Sequence, residues 1–169
     1  MNFQIVIADE DQHISPIREL FWEYLMWANE RVKEEFHVSF DIAEMLENDM
    51  KNLGKFMPPY GRIALGYTLD HPSGIACLKK LTPSIGEIKR MYVRPESRKQ
   101  GLGHALVNCM IQEARQNGYQ RIRLDSARFM KAAHQLYRSI GFNEIGAYEG
   151  SEIPREFQEH WVFMEMQIS

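Results

Sequence analysis

RPESRKQGLGHALVNCM, residues Arg94 to Met110, sets two basic residues and two glycines directly ahead of a segment whose apolar residues recur at helical spacing. Leu102, Ala105, Leu106, Cys109 and Met110 form one stripe of that helix, and Gly118 supplies its stop. A helix start carries unpaired backbone N–H groups and about half a positive charge, so an anion placed there is favoured. Gly101 and Gly103 let the backbone turn tightly and touch a ligand, while Arg98 and Lys99 add full charges. The stretch reads as a phosphate cradle at a strand, loop and helix junction.

Two familiar phosphate loops do not fit it. A Walker loop requires Gly-Lys-Ser/Thr, and GLGHAL holds neither the lysine nor a hydroxyl for magnesium. A dinucleotide fingerprint requires Gly or Ala where this chain has Leu106, and it follows the first strand of a βαβ unit. Here GEIKRMYV reads as a strand just upstream, after RIALGYTL and GIACLKKL, which form a hairpin joined by DHPSG.

Further out, FQIVIA (Phe3 to Ala8) reads as a first strand. Ser15 and Pro16 give an N-cap and a first helical residue for IRELFWEYLMWANERVKEEF, and Ser39 caps a second helix ending at Gly54. Downstream, YQRIRLD is a strand, and Ser126 caps a helix with Met130, Ala133, Leu136, Tyr137 and Ile140 on its stripe, ended by Gly141. FNEIGA and HWVFMEMQI close the chain as strands.

The gross composition sets the frame. With 169 residues, 44% hydrophobic and 25% charged, one domain spanning residues 1–169 is expected. A net charge of −3 and a pI near 6.1 argue against gathering nucleic acid by bulk electrostatics. Cys77 and Cys109 lie in apolar runs with no metal-ligand spacing, and read as small buried thiols of a reducing compartment. The acidic N-terminus does not resemble a signal peptide, and no apolar run approaches the roughly 20 residues of a membrane span. A cytoplasmic protein with no nucleic-acid or membrane partner is expected.

RKQGLG matches the pattern Arg/Gln-x-x-Gly-x-Gly/Ala, and AAHQLYRSIGF further on matches A-x-x-L-Y-x-x-x-G-F. With a strand between them, these blocks resemble the acetyl-coenzyme A site of the GNAT superfamily of N-acetyltransferases, over Glu87 to Phe142. The resemblance implies an α+β fold: a central mixed, mostly antiparallel twisted sheet of about seven strands flanked by about four helices. It implies transfer of an acetyl group from acetyl-coenzyme A, without a metal, to a primary amine of a small molecule or peptide by direct attack in a ternary complex. A homodimer is a candidate assembly.

The resemblance also assigns residues. Arg98, Lys99, Gln100, Gly101, Leu102 and Gly103 would bind the cofactor pyrophosphate, and Met91, Tyr92 and Val93 would pair with its pantetheine arm. His104 and His134 fall on helix positions beside that site as candidate contacts, against the plainer reading of solvated or packing histidines. Amine attack on a thioester needs a neutral amine, a donor to the developing oxyanion and an acid for the departing thiolate. A backbone N–H near Met91 or Tyr92 would supply the second, Glu87 the base and Tyr137 the acid. Each side chain has a plain rival: Tyr137 as a core tyrosine, Glu87 as an exposed carboxylate at a strand start. Met130 stands where relatives often carry a cofactor-contacting Asn. Trp22 and Trp27 compete between lining the acceptor pocket and filling the core. The carboxylates of the acceptor-side segments weakly favour a cationic acceptor. The alternative function is a non-catalytic acyl-coenzyme A binding or sensing module.

Overall fold

Apolar residues alternate along the middle strands, and each strand buries one set on either side of a single sheet. A computed structural model describes residues 2–169. The strands are β1 (Phe3–Ile7), β2 (Arg62–Thr68), β3 (His71–Thr82), β4 (Ile85–Val93), β5 (Arg121–Ala127), β6 (Asn143–Ile145) and β7 (Trp161–Gln167), in the spatial order β1-β2-β3-β4-β5-β7-β6. All neighbours are antiparallel except β4 and β5, whose parallel pairing requires a crossover. Helix α3 (Leu102–Gln116) provides it.

Helix α3 and α4 (Lys131–Ile140) cover one face. Leu102, Leu106, Val107 and Met110 pack there on Leu78, Ile88, Ile122 and Leu124. On the other face α1 (Glu10–Phe36) and α2 (Ile42–Lys51) bring Ile17, Leu20, Phe21 and Leu46 against Ile63, Leu65, Ile75 and Cys77. This is the expected α+β arrangement, with helices on both faces of a seven-stranded mixed sheet. Among the described residues no helix is long and apolar enough to cross a membrane.

Several local expectations give way to better partners. Helix α1 begins before Ser15: Asp9 caps it, accepting from Asp11 N at 2.9 Å and Gln12 N at 3.3 Å, and Pro16 lies inside. Asp41, not Ser39, caps α2 by accepting from Glu44 N at 3.0 Å, and Gly54 falls within a 3₁₀ turn, Leu53–Phe56. Ser126 belongs to β5, with its hydroxyl 3.2 Å from Met130 Sδ, while α4 follows Met130 without a side-chain cap. The β2–β3 hairpin turns at Leu69 and Asp70 (φ 49° and 63°), so His71 to Gly74 are strand rather than turn. The stops at Gly118 (φ 80°) and Gly141 (φ 122°) stand where expected, each in the left-handed conformation a helix exit favours.

The cap assignment is checked by urea denaturation. Asp9→Ala should cost about 1 kcal/mol, whereas Ser15→Ala should stay within about 0.5 kcal/mol of the parent.

Candidate active site

β4 and β5 run side by side for three residues only, Ile85–Glu87 against Arg121–Arg123. β4 then continues to Val93 and β5 to Ala127 with no ladder between them. The separation coincides with a bulge in β4. Cys77 pairs with Lys89 and Ile75 with Tyr92, so Ala76 faces two residues, Arg90 and Met91. Arg90 adopts φ 54°, a costly conformation for a non-glycine residue. Asp49 of α2 holds it there through a bidentate pair, Nε to Oδ2 at 2.7 Å and Nη2 to Oδ1 at 2.8 Å. The bulge leaves an open edge of β4 inside the sheet.

The glycine loop lies at the end of that edge. Gly101 (φ 89°) precedes α3, and the first helical bond runs from Ala105 N to Gly101 O at 3.0 Å. The N–H groups of the preceding turn therefore have no helical acceptor. A Cβ on Gly103 would meet Leu136 Cδ2 at 3.3 Å and Met91 Cε at 3.5 Å, so this glycine permits close approach of α3, α4 and β4. Lys99 is exposed at φ 59°, and Gln100 donates to Glu96 O at 2.9 Å. Arg98 is turned away from the cradle, donating to Val93 O at 2.8 Å with its guanidinium over Trp27 and Tyr92.

Met91 and Val93 pack under α3, and Tyr92 is buried against Tyr24 and Trp27, so the three can meet a ligand chiefly through backbone. Trp27 is part-buried in this cluster, whereas Trp22 is exposed. His104 is exposed and bonded to Asn108 at 2.9 Å. His134 is buried on α4, its Nε2 has no partner among the described residues, and burial lowers its pKa.

Ile88 faces α3, so Glu87 and Lys89 face the side of α1 and α2. Glu87 is wholly buried rather than exposed at a strand start. Its Oε2 accepts from the Tyr148 hydroxyl at 2.6 Å, and its Oε1 lies 3.4 Å from Lys79 Nζ without a hydrogen bond. Lys89 crosses the opening between the strands to Asp125 at 3.1 Å, both side chains buried. Burial disfavours the Lys89 charge, yet Asp125, Glu87 and Glu152 outweigh it and raise its pKa, so it stays an ammonium. Burial and the Glu87 carboxylate both raise the pKa of Tyr148.

On the other side of the opening, Tyr137 of α4 packs edge-on to Phe142. Burial, then Tyr24 and Asp125, raise its pKa. Glu87 thus lies on the α1 and α2 side of the sheet with the Lys89–Asp125 pair, and Tyr137 on the α4 side, near enough to Asp125 for that carboxylate to raise its pKa. Lys89, Asp125, Tyr148, Glu152 and Tyr24 were not among the sequence candidates. Period two in β4 places Lys89 beside Glu87, a signal present in the sequence; the others needed the fold. Glu152, one of the carboxylates that favoured a cationic acceptor, lies among Lys55, Lys79, Lys89 and Arg90 and is neutralised by them.

The family model described as Acetyltransferase (GNAT) family matches residues 15–142. An uncharacterized N-acetyltransferase of Schizosaccharomyces pombe is 29% identical over 171 residues, covering 99% of this chain and 96% of the relative. Among solved structures, an acetyltransferase of the GNAT family from Staphylococcus aureus Mu50 matches with a TM-score of 0.73 at 19% identity, over 99% of this chain and 100% of that one. The PaiA N-acetyltransferase of Thermoplasma acidophilum, in complex with coenzyme A, matches with a TM-score of 0.73 at 16% identity, over 99% of both chains. At these identities the structural likenesses speak to the fold.

The Glu152 environment has a pH signature. Burial alone would raise its pKa, but Lys89, Arg90, Lys55 and Lys79 outweigh that and hold it down at about 2, against an ordinary 4.5. A depressed folded-state pKa gives stability that is complete above the unfolded value and lost as pH falls through the folded one. Glu152→Gln should therefore melt below the parent at neutral pH, with the gap closing as pH falls from 4.5 toward 2. A gap independent of pH in thermal melts would show that the carboxylate carries no such charge coupling.

Proposed function

The chain belongs to the acetyltransferase (GNAT) family and is an acyltransferase, and from that premise we propose that it moves the acetyl group of acetyl-coenzyme A to a primary amine by direct attack in a ternary complex. The observation that carries this reading is the gap between β4 and β5, with a glycine cradle at one end, Glu87 on one face and Tyr137 on the other. The residues present fit the cofactor: the N–H groups around Gly101 to Gly103 lack helical acceptors, and a Cβ on Gly103 would crowd Leu136 Cδ2 at 3.3 Å. When bound, acetyl-coenzyme A supplies an activated acetyl thioester.

The remaining roles fall to the chain. Backbone N–H groups from Gln100 to Gly103 hold the pyrophosphate, and the open edge of β4 at Met91 to Val93 aligns the arm as an added strand would. Lys99 adds charge at the loop; Arg98 fixes the loop to β4 from the α1 side. In this reading His104 of α3 and His134 of α4 border the cofactor rather than react. The bulge frees an N–H near Met91 or Tyr92 to donate to the carbonyl oxygen as it gains negative charge. Glu87, fixed by Tyr148, takes a proton from the incoming ammonium through a water, since its carboxylate is wholly buried. Burial keeps the Tyr137 phenol protonated at neutral pH, so its proton is available to the departing sulfur. A carboxylate and a phenol on either side of the gap favour this over a module that only binds acyl-coenzyme A.

Free thiol released from acetyl-coenzyme A in the presence of an amine panel tests the reaction; no release with any amine would overturn it. Tyr137→Phe should lower the maximal rate by about 10²-fold or more. Because the ring and its packing on Phe142 are kept, stability should stay within about 0.5 kcal/mol of the parent. A parent-like rate removes Tyr137 from the mechanism. By calorimetry, Gly103→Val should weaken acetyl-coenzyme A binding at least about tenfold, or 1.4 kcal/mol, and unchanged affinity would rule out the cradle.

A further inference from the structure

The charged cluster on the α1 and α2 side is unevenly held. Its inner pairs join strands and helix: Arg90 to Asp49 at 2.7 Å, Lys89 to Asp125 at 3.1 Å and Lys79 to Glu87 at 3.4 Å. The fourth carboxylate, Glu152, comes from the segment between β6 and β7. It lies 3.4 Å from Lys55, 3.6 Å from Lys79, 3.7 Å from Lys89 and 3.4 Å from Arg90. These contacts run longer than the shortest inner pairs, and the Glu152 side chain keeps 35% of its exposure where the others are buried. Among the described residues Lys55 has no other carboxylate partner.

With Glu152 withdrawn, four cations would face three carboxylates, leaving a seat for one negative charge. That seat adjoins the proposed base. Lys79 Nζ lies 3.4 Å from Glu87 and 3.6 Å from Glu152, so a single ammonium head separates the two carboxylates. Tyr148, four residues before Glu152, bonds Glu87 at 2.6 Å, so one loop touches both the base and the seat.

We propose that the acceptor is a short amino acid, an amine that also bears a carboxylate, and that Glu152 occupies the acceptor carboxylate's seat until exchange. This rests on the reading that the acceptor enters beside Glu87. The ammonium of such a molecule faces Glu87 while its carboxylate meets Lys55, Lys79 and Arg90. A monoanion matches the single uncompensated charge; a dianionic phosphate would overshoot it. Exchange of one carboxylate for another conserves the cluster's charge, and the half-exposed Glu152 moves into water as the acceptor is desolvated.

Matched pairs of an amino acid and its decarboxylated amine, such as alanine and ethylamine or phenylalanine and phenethylamine, test this with the full chain and acetyl-coenzyme A. At least about a tenfold preference in kcat/KM for the acid is expected in at least one pair, and Lys55→Met should bring that preference toward parity. Decarboxylated amines turned over as well as every acid would overturn the proposal while leaving acetyl transfer to amines intact. Propionate, titrated by NMR in the absence of any amine, gives a readout independent of turnover. It should bind Glu152→Gln at least about tenfold more tightly than the parent, with Glu152→Ala as a second variant if the first does not fold. Equal propionate affinity in a folded variant would make Glu152 a structural pin and overturn the exchange. If no amine is acetylated, the reaction itself falls and the propionate titration still decides whether the seat exists.

Discussion

The bidentate pair between Arg90 and Asp49 is the constraint on which the rest of the structure turns. A left-handed arginine in a strand costs on the order of 1 kcal/mol or more, and persists only where its surroundings fix it. Asp49 does so with two short charge-assisted bonds from a buried position on α2. The bulge it stabilises gives β4 an extra residue against β3 and turns the strand away from β5. Had β4 stayed regular, its ladder with β5 could have continued, and no gap would open at Lys89 and Asp125.

That gap divides the molecule's chemistry. On the side of α3 and α4 the surroundings are apolar, built from Leu102, Leu106, Met110, Ile122 and Leu124, with the Tyr137 phenol among them. Burial there keeps a proton on oxygen. On the side of α1 and α2, four cations and four carboxylates sit together near the sheet. Removing one partner from such a cluster leaves an uncompensated charge, so its members stabilise one another only as a set. Alternate residues of β4 point to opposite faces, so Glu87 and Lys89 join the charged side while Ile88 faces α3, and the Tyr137 phenol comes to the apolar side from α4.

The sequence was most informative where a residue's backbone demand is intrinsic. Gly118 and Gly141 end helices in left-handed conformations that other residues avoid, and Gly101 adopts one before α3, so all three were legible without the fold. Helix starts were less so. Ser15, Ser39 and Ser126 each have the chemistry of a cap, yet Asp9, Asp41 and the uncapped Met130 turn stand at the starts. Several nearby hydroxyls and carboxylates can satisfy a first turn equally well, and packing of the whole helix selects among them. The hairpin shows the same limit: the turn fell at Leu69 and Asp70 because the register with β2 pulled His71 to Gly74 into the strand.

By itself the sequence determined the strand and helix order and the glycine loop ahead of α3. These depend on local period and on glycine's freedom, which neighbours in sequence reveal. The tertiary structure alone decided that Arg98 turns toward Trp27, that Glu87 is buried under Tyr148, and that Glu152 joins Lys55, Lys79, Lys89 and Arg90. Those pairings join residues up to 97 positions apart, as between Lys55 and Glu152. A charge has no address in the sequence: its partner is set by strand register and loop path, and burial then fixes whether the pair keeps or moves a proton.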